Sequence, residues 1–318
     1  MALSDLAVFS EYTYSTFVES ISQQLNLFNA ASGGTIVLLS AANEGDFNDV
    51  AFWGQIGGLV RRRNAYGSGA VAEKNLEHLI DTMVKVAAGT PPVRVDPSQF
   101  EWIQQNQETG GAVYGQQLAE ATIQDMLNTA LMAFVAALTG ETEVTKDVSA
   151  ADTSLNSLLT GASLMGDRSD AIRTWVMHSK SMFDIFGVAL ANTAGLFNFG
   201  TVNVRQDGFG RPFIVSDSPS LILTGAPDKH YIGGLTEGAI RVEMNGDFVQ
   251  NVETSNGNEN IKRTIQSEWS YNLGIKGYSW DKTTGGKSPN DAALATANNW
   301  DRNVTSHKDT AGVLLLAK

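Results

Sequence analysis

The chain has 318 residues, 42% hydrophobic and 18% charged, with 31 glycines and no cysteine. That size and composition describe a folded protein with a large core, and they exclude wholesale disorder, disulfides, thiolate metal sites and a cysteine nucleophile. A net charge of −12 makes it a poor general binder of nucleic acid, because affinity for phosphate needs Lys and Arg.

The start, Met1-Ala2-Leu3-Ser4-Asp5-Leu6, lacks the basic opening of a signal peptide. Residues 11–29 read as an amphipathic helix. Tyr14, Phe17, Val18, Ile21, Leu25 and Phe28 recur at steps of three and four, and Ser32-Gly33-Gly34 ends the pattern. Thr35–Leu39 is a short β-like run. Residues 41–72 lack helical periodicity and hold Trp53, Gly57-Gly58, Arg61-Arg62-Arg63 and Gly67-Ser68-Gly69, as expected of a projecting hairpin. Residues 73–87 read as helix, stopped by Gly89-Thr90-Pro91-Pro92.

The strongest helix signal is 116–138, where Ile123, Met126, Leu127, Ala130, Leu131, Phe134 and Leu138 form one stripe before Gly140. Its rod would be roughly 35 Å long. The apolar run Ala130–Leu138 is too short to span a bilayer, so no membrane is expected as a partner. Asp147–Asp152 reads as a linker, Leu155–Leu164 as a short helix, Arg173–His178 as a strand and Ser181–Ala191 as a helix. Short strands follow at Thr201–Arg205, Pro212–Val215, Leu221–Thr224, Tyr231–Gly234 and Gly238–Met244, with Asp207-Gly208-Phe209-Gly210 as a turn. Two longer strands, Ile261–Tyr271 and Leu273–Trp280, are expected to meet at Asn272. The last helix is read over Pro289–Asn298, with Ser288 as its N-cap.

None of the motifs tested for chemistry survives. Thr284-Gly285-Gly286-Lys287-Ser288 ends like a phosphate loop, but Asp281 stands where the first Gly belongs. Gly67-Ser68-Gly69-Ala70-Val71-Ala72 follows arginines rather than a buried strand. The four histidines, His78, His178, His230 and His307, show no metal-ligand spacing, and His178-Ser179 has no nucleophile elbow around it. Glu73, Glu77 and Asp81 would form a solvated acidic stripe on the expected helix. The expectation is therefore no enzyme activity, no catalytic residue, no cofactor and no metal. Residues 1–159 carry 7 basic and 18 acidic side chains, against 15 and 16 in residues 160–318. Arg61, Arg62 and Arg63 are the only basic cluster in the acidic half. Pairing with acids of another subunit, a solvated loop and a phosphate contact are the alternatives.

The order of these segments resembles the major capsid proteins of tailed bacteriophages, with the Hong Kong 97-type fold. The similar pieces are Asn29-Ala30-Ala31-Ser32-Gly33-Gly34 after the first helix, Arg173–Lys180, Gly210–Asp217, Pro289–Thr296 and Asn299-Trp300. The resemblance implies an α+β fold with an N-terminal arm (1–40), an extended loop (41–75) and a peripheral domain with the spine helix (76–150). It further implies an axial domain (151–260), then the peripheral domain's return strands and a C-terminal helix (261–318). It implies self-association as hexamers and pentamers into an icosahedral head, made in the host cytoplasm and enclosing double-stranded DNA without sequence-specific contacts. Portal and scaffolding proteins, and a cement protein, are the implied partners. Since the arm helix is reached by residue 11, the scaffold is expected to be a separate chain or a segment cut away. An encapsulin-like shell around a cargo enzyme is the near alternative, and a soluble α+β enzyme the distant one. Tyr14, Phe17, Ile21 and Leu25, with Arg61–Arg63, are the expected intersubunit contacts, so Phe17→Asp is expected to block assembly more than folding.

Overall fold

The computed structural model describes residues 3–40, 45–53, 60–76, 78–95, 106–150, 152–186, 194–199, 202–206, 212–256, 259 and 261–318. Helix α1 (Leu3–Ala31) is followed by β1 (Ile36–Ser40), β2 (Phe47–Trp53), β3 (His78–Gly89), β4 (Val93–Val95) and the long helix α2 (Gln107–Thr139). Next come β5 (Thr145–Asp147), α3 (Leu155–Ser163), β6 (Ile172–Met177), α4 (Ser179–Phe186), β7 (Ala194–Phe199), β8 (Val202–Gln206), β9 (Pro212–Ser216) and β10 (Ile222–Leu223). The chain continues through β11 (Lys229–Thr236), β12 (Ile240–Met244), β13 (Val249–Ser255), β14 (Lys262–Ile275), β15 (Tyr278–Trp280), the one-turn helix α5 (Asp291–Leu294), β16 (Trp300–Arg302) and β17 (Gly312–Ala317).

Among the described residues these strands make two sheets. One is organised on β14, which pairs with β12, β13, β3, β4 and β15. In that sheet β1 lies parallel to β12, β16 follows β15, and β2 joins through β3. The other runs β5-β17-β11-β6-β9-β8-β7, with β10 on β11.

Helix α2 touches both sheets. Tyr271 of β14 donates a hydrogen bond to Asp125 at 3.1 Å, while the Phe134 ring lies so close under β11 that a Cβ on Gly233 would come within 2.6 Å of it. Its 33 residues make a rod of about 50 Å. By length and composition it could cross a membrane, yet 72% of its most apolar window is buried within the subunit. A helix apolar on most sides is the central element of a large core, and here Ala130–Leu138 is almost wholly buried.

Helix α1 lies along α2 at backbone contact. A Cβ on Gly111 would sit 2.7 Å from the Phe9 carbonyl oxygen, and one on Gly115 would sit 2.6 Å from that of Thr13. The buried Thr13 hydroxyl donates to the Phe9 carbonyl at 2.9 Å, so it is satisfied within the crossing. α1 ends where Gly33 and Gly34 take φ of +65° and +71°, a conformation side chains with a Cβ rarely adopt. The Asn29 side chain then donates to the Leu38 carbonyl (2.7 Å) and accepts from the Leu38 N–H (2.8 Å), folding β1 back along the helix.

Several expectations are corrected. Residues 73–87 are not a helix: 73–76 have no regular structure, Glu77 lies outside the described residues, and the rest belongs to β3, so no acidic helical stripe exists. His78–Val84 is a strand because it pairs with β2, and Val84–Gly89 because it pairs with β14. β14 does not break at Asn272, whose amide is buried and donates to Asn245 at 2.9 Å; the turn comes at Lys276-Gly277, where Gly277 has φ +80°. The last helix is one turn, capped by the Asn290 side chain accepting from the Ala293 N–H, whereas Ser288 sits at φ +47°. Gly140 ends α2 in an ordinary right-handed conformation. Asp147 belongs to β5 rather than to a linker. The helix expected over Ser181–Ala191 is α4; residues 187–191 lie outside the described residues, as do the turn at 207–210 and Gly57-Gly58. Strands β4, β7, β13, β16 and β17 went unread in the sequence. β17 matters most: although it closes the segment 261–318, it pairs with β11 and β5 in the other sheet.

Substituting Gly115→Val forces α1 away from α2. The expected result is a loss of about 1–3 kcal/mol or more, read as a lower urea midpoint of the isolated subunit.

Candidate assembly surfaces

Among the described residues no cleft with convergent chemistry stands out, so the surfaces that project from the body are the candidate site. The most prominent is the ribbon of β2 and β3. Phe47 stands opposite Val84 and Trp53 opposite His78. β3 pairs with β14 only from Val84 onward; Asp81, Thr82 and Met83 still lie against the body, with the Thr82 N–H donating to Ser279 Oγ at 3.1 Å, and the ribbon leaves the sheet beyond them. Trp53 and His78 meet edge to face at 4.8 Å near its outer end. Beyond them, residues 60–76 are exposed throughout, with one turn at Ala65-Tyr66.

The foot of the ribbon is clamped by charges from the turn after β15. Lys282 pairs with Asp49 at 2.6 Å and lies 5.2 Å from the centre of the Phe47 ring. Lys287 pairs with Asp46 at 2.8 Å. A hydrogen bond from each ammonium holds its carboxyl below the usual carboxylate range. Exposed pairs of this kind are individually weak, but two of them, with Thr82 donating to Asp49 at 2.8 Å, set the direction in which the ribbon leaves. Lys287 is thereby engaged, and Trp280 Nε1 donates to the Gly286 carbonyl at 3.0 Å, so the phosphate-loop-like segment is a structural turn.

Asp81 lies where the ribbon leaves the sheet. Burial pushes its carboxyl up to about 6, against the partial relief of a hydrogen bond from Asn303 at 3.4 Å and the nearby charge of Arg241. The folded subunit therefore holds this proton at pH values where the unfolded chain has released it.

Arg61, Arg62 and Arg63 are exposed on this loop and form no ion pair among the described residues. The loop also bares Val60 at 92% and Tyr66 at 100% of their surface. The four α1 residues expected to pack on their own core and partly on neighbours divide by burial. Phe17 is fully buried, 4.5 Å from the Phe248 ring and 6.2 Å from that of Trp269. Ile21 and Leu25 are buried in the same core, and only Tyr14 is exposed. These three apolar side chains are part of the subunit's own core, so Phe17→Asp acts on folding of the subunit itself.

The remaining candidates are structural too. His178 Nδ1 accepts from the Lys180 N–H at 3.1 Å, its Nε2 lies 3.4 Å from Asp217, and its ring stacks on His230 at 4.8 Å. Both of its nitrogens are engaged, so it activates nothing at Ser179. The described residues contain no group of His, Asp and Glu able to hold a metal. Gly67 closes a local turn onto the Asn64 carbonyl.

Solved structures share this architecture. The capsid of cyanophage Pam1 superposes with a TM-score of 0.50 at 11% identity, covering 89% of this chain and 88% of that one. The capsid of Ralstonia phage GP4 gives 0.47 at 11% identity, covering 90% and 88%. At such identity the likeness concerns the fold, which is the α+β Hong Kong 97-type fold of capsid shells. No curated protein sequence matches the chain. Residues 5–314 match the Gp13-like family, described as major capsid protein 13-like, and the chain belongs to that family. It is a structural protein of the virion, a major capsid protein that self-assembles into the shell of the phage head.

Two outcomes follow from the placement of Phe17 and Asp81. Phe17→Asp buries a carboxylate in the core, and the isolated subunit is expected to lose its cooperative unfolding transition in circular dichroism. The contribution of Asp81 to stability falls as pH rises from about 4 to 6, because there the folded state binds the extra proton. Asp81→Asn is therefore expected to leave Tm unchanged near pH 3.5 and to raise it at pH 7.5.

Proposed function

We propose that this subunit associates as hexamers and pentamers that close an icosahedral head around double-stranded DNA. In this reading the β14 sheet, α2 and the ribbon form the peripheral domain and extended loop, and the β11 sheet forms the axial domain. The observation that carries it is the ribbon: 60–76 is exposed throughout in the single subunit, yet it carries Val60, Tyr66 and three arginines on an oriented stem. Exposed apolar groups gathered at the end of a projection are favourable when a neighbour covers them. The net charge of −12 supports DNA that is enclosed without adhering, since contacts to phosphate are outnumbered by like charges. Portal and scaffolding proteins would start and shape the shell, and a cement protein would bind its outside. No group in this reading touches bases.

The test is light scattering and electron microscopy on the purified native particles, with the 260/280 nm absorbance ratio of the same fractions. Closed icosahedral shells rich in nucleic acid are the expected result. Shells filled with an enzyme would move the function to a protein compartment, and a small oligomer under all salt and scaffold conditions would overturn the shell.

A further inference from the structure

Helix α4 is preceded by His178, at the position where Ser, Thr, Asp or Asn usually caps a helix. Its first two amides are held by side chains outside the helix. The Ser179 N–H donates to Asp217 Oδ1 at 3.2 Å, and the Lys180 N–H donates to His178 Nδ1 at 3.1 Å. The second bond has the pattern of an N-cap, a side-chain acceptor two residues before the amide it serves. Here the acceptor is an imidazole nitrogen, on the side chain whose ordinary charge change falls between pH 5 and 8. A neutral imidazole that accepts at Nδ1 carries its proton on Nε2, and that nitrogen lies 3.4 Å from Asp217 Oδ1.

The surroundings make this cap sensitive to a proton. The His178 ring stacks on His230 of β11 at 4.8 Å, with 24° between the planes. His230 is buried, and its Nδ1 has no hydrogen-bond partner among the described residues. Burial, then the charges of His178 and Lys180, hold His230 below the ordinary imidazole range, against the opposing pull of Asp228 and Asp184. Two stacked rings cannot both carry charge cheaply, and His178 is the one that is partly exposed and beside a carboxylate. The other charges around the pair are engaged: Lys180 with Asp184 at 2.9 Å, and Lys229 with Asp147 at 3.3 Å. A proton on His178 Nδ1 turns the acceptor into a donor, so that two N–H groups face each other. It also places a cation at a helix start, where the backbone dipoles already present their positive ends. Asp217 still holds the ring through Nε2, so acid exchanges a cap for an ion pair.

We propose that His178 is an acid-labile cap: neutral, it holds the first turn of α4; protonated, it stays on Asp217 and releases that turn. α4 carries the exposed Phe183 ring, so acid loosens the start of a surface helix that bears an apolar group. The device lies within one subunit and does not depend on the shell reading.

The test is amide hydrogen exchange, read by mass spectrometry on the full-length chain between pH 7.5 and 5.0, with each rate divided by its unstructured value. Residues 179–186 are expected to lose protection by about fivefold at pH 5.0, the factor that a lost cap corresponds to, while α2 is unchanged. His178→Asn supplies a capping oxygen that does not titrate, so its protection is expected to be the same at both ends of the range. Asp217→Asn still accepts from the Ser179 N–H but removes the charge that favours an imidazolium, so it is expected to move the response to lower pH. Equal protection of the unmodified chain at pH 7.5 and 5.0 overturns the proposal. A response that persists in His178→Asn, or whose midpoint Asp217→Asn leaves in place, assigns the titration to another group and overturns it as well. A loss that extends to α2 reports acid unfolding of the whole subunit and likewise overturns it.

Discussion

The architecture depends on burying α2. A 33-residue helix that is apolar on most of its circumference cannot rest on one partner, and here it has three: the β14 sheet, the β11 sheet and α1. The approach of α1 is set by Gly111 and Gly115, where side chains would collide with carbonyl oxygens. Close backbone approach of this kind gives many small dispersion contacts over a long crossing. Because α2 contacts both sheets, they are parts of one interior rather than independent bodies. A shell subunit must transmit load between neighbours, and a shared central rod suits that need.

Around this body the polar chemistry is used for direction rather than catalysis. Lys282 and Lys287 orient the ribbon, and Arg302 joins Glu141 at 3.0 Å and Glu143 at 2.6 Å, tying the end of α2 to β16. Lys308 pairs with Asp167, and Arg168 with Asp309, across the same junction between early and late chain. Each exposed pair contributes little, but paired long-range contacts restrict where a loop can lie. The last strand has a similar consequence: β17 is buried between β5 and β11, and Gly312 fits because a Cβ there would lie 1.9 Å from the Gly234 carbonyl oxygen. The two ends of the chain are thus built into different parts of one fold.

What was legible in the sequence follows from how local each signal is. The stripes of α1 and α2 repeat over many turns, so their existence was clear, although both helices run beyond the patterned part. The interrupted stretch at 41–72 was legible as a projection because Gly, Arg and Asn there suit neither a helix nor a core. The strand β3 was misread because Leu79, Ile80, Met83, Val84 and Val86 satisfy helical spacing about as well as alternation over so short a run. The continuous run Val313–Leu316 carries no period at all, and only its position between two strands makes it β. Of the candidate contact residues, exposure of the arginines was readable from charge. The fate of Phe17, Ile21 and Leu25 was not, since an amphipathic stripe does not say whether its own sheet or a neighbour covers it.

The sequence by itself determined the α+β class, the two long helices, the exposed basic loop and, through the order of its segments, the resemblance to capsid proteins. These rest on periodicity, charge and chain order, all of which are local. Tertiary structure alone decided that residues 78–89 are a strand, that β14 is unbroken, that the last strand crosses to the other sheet and that Asp81 holds a raised carboxyl. Each of these depends on partners far along the chain: on β2 and β14 for β3, on Asn245 for Asn272, on β11 for β17 and on Asn303 and Arg241 for Asp81. A residue's burial and pairing are set by what the whole chain brings beside it.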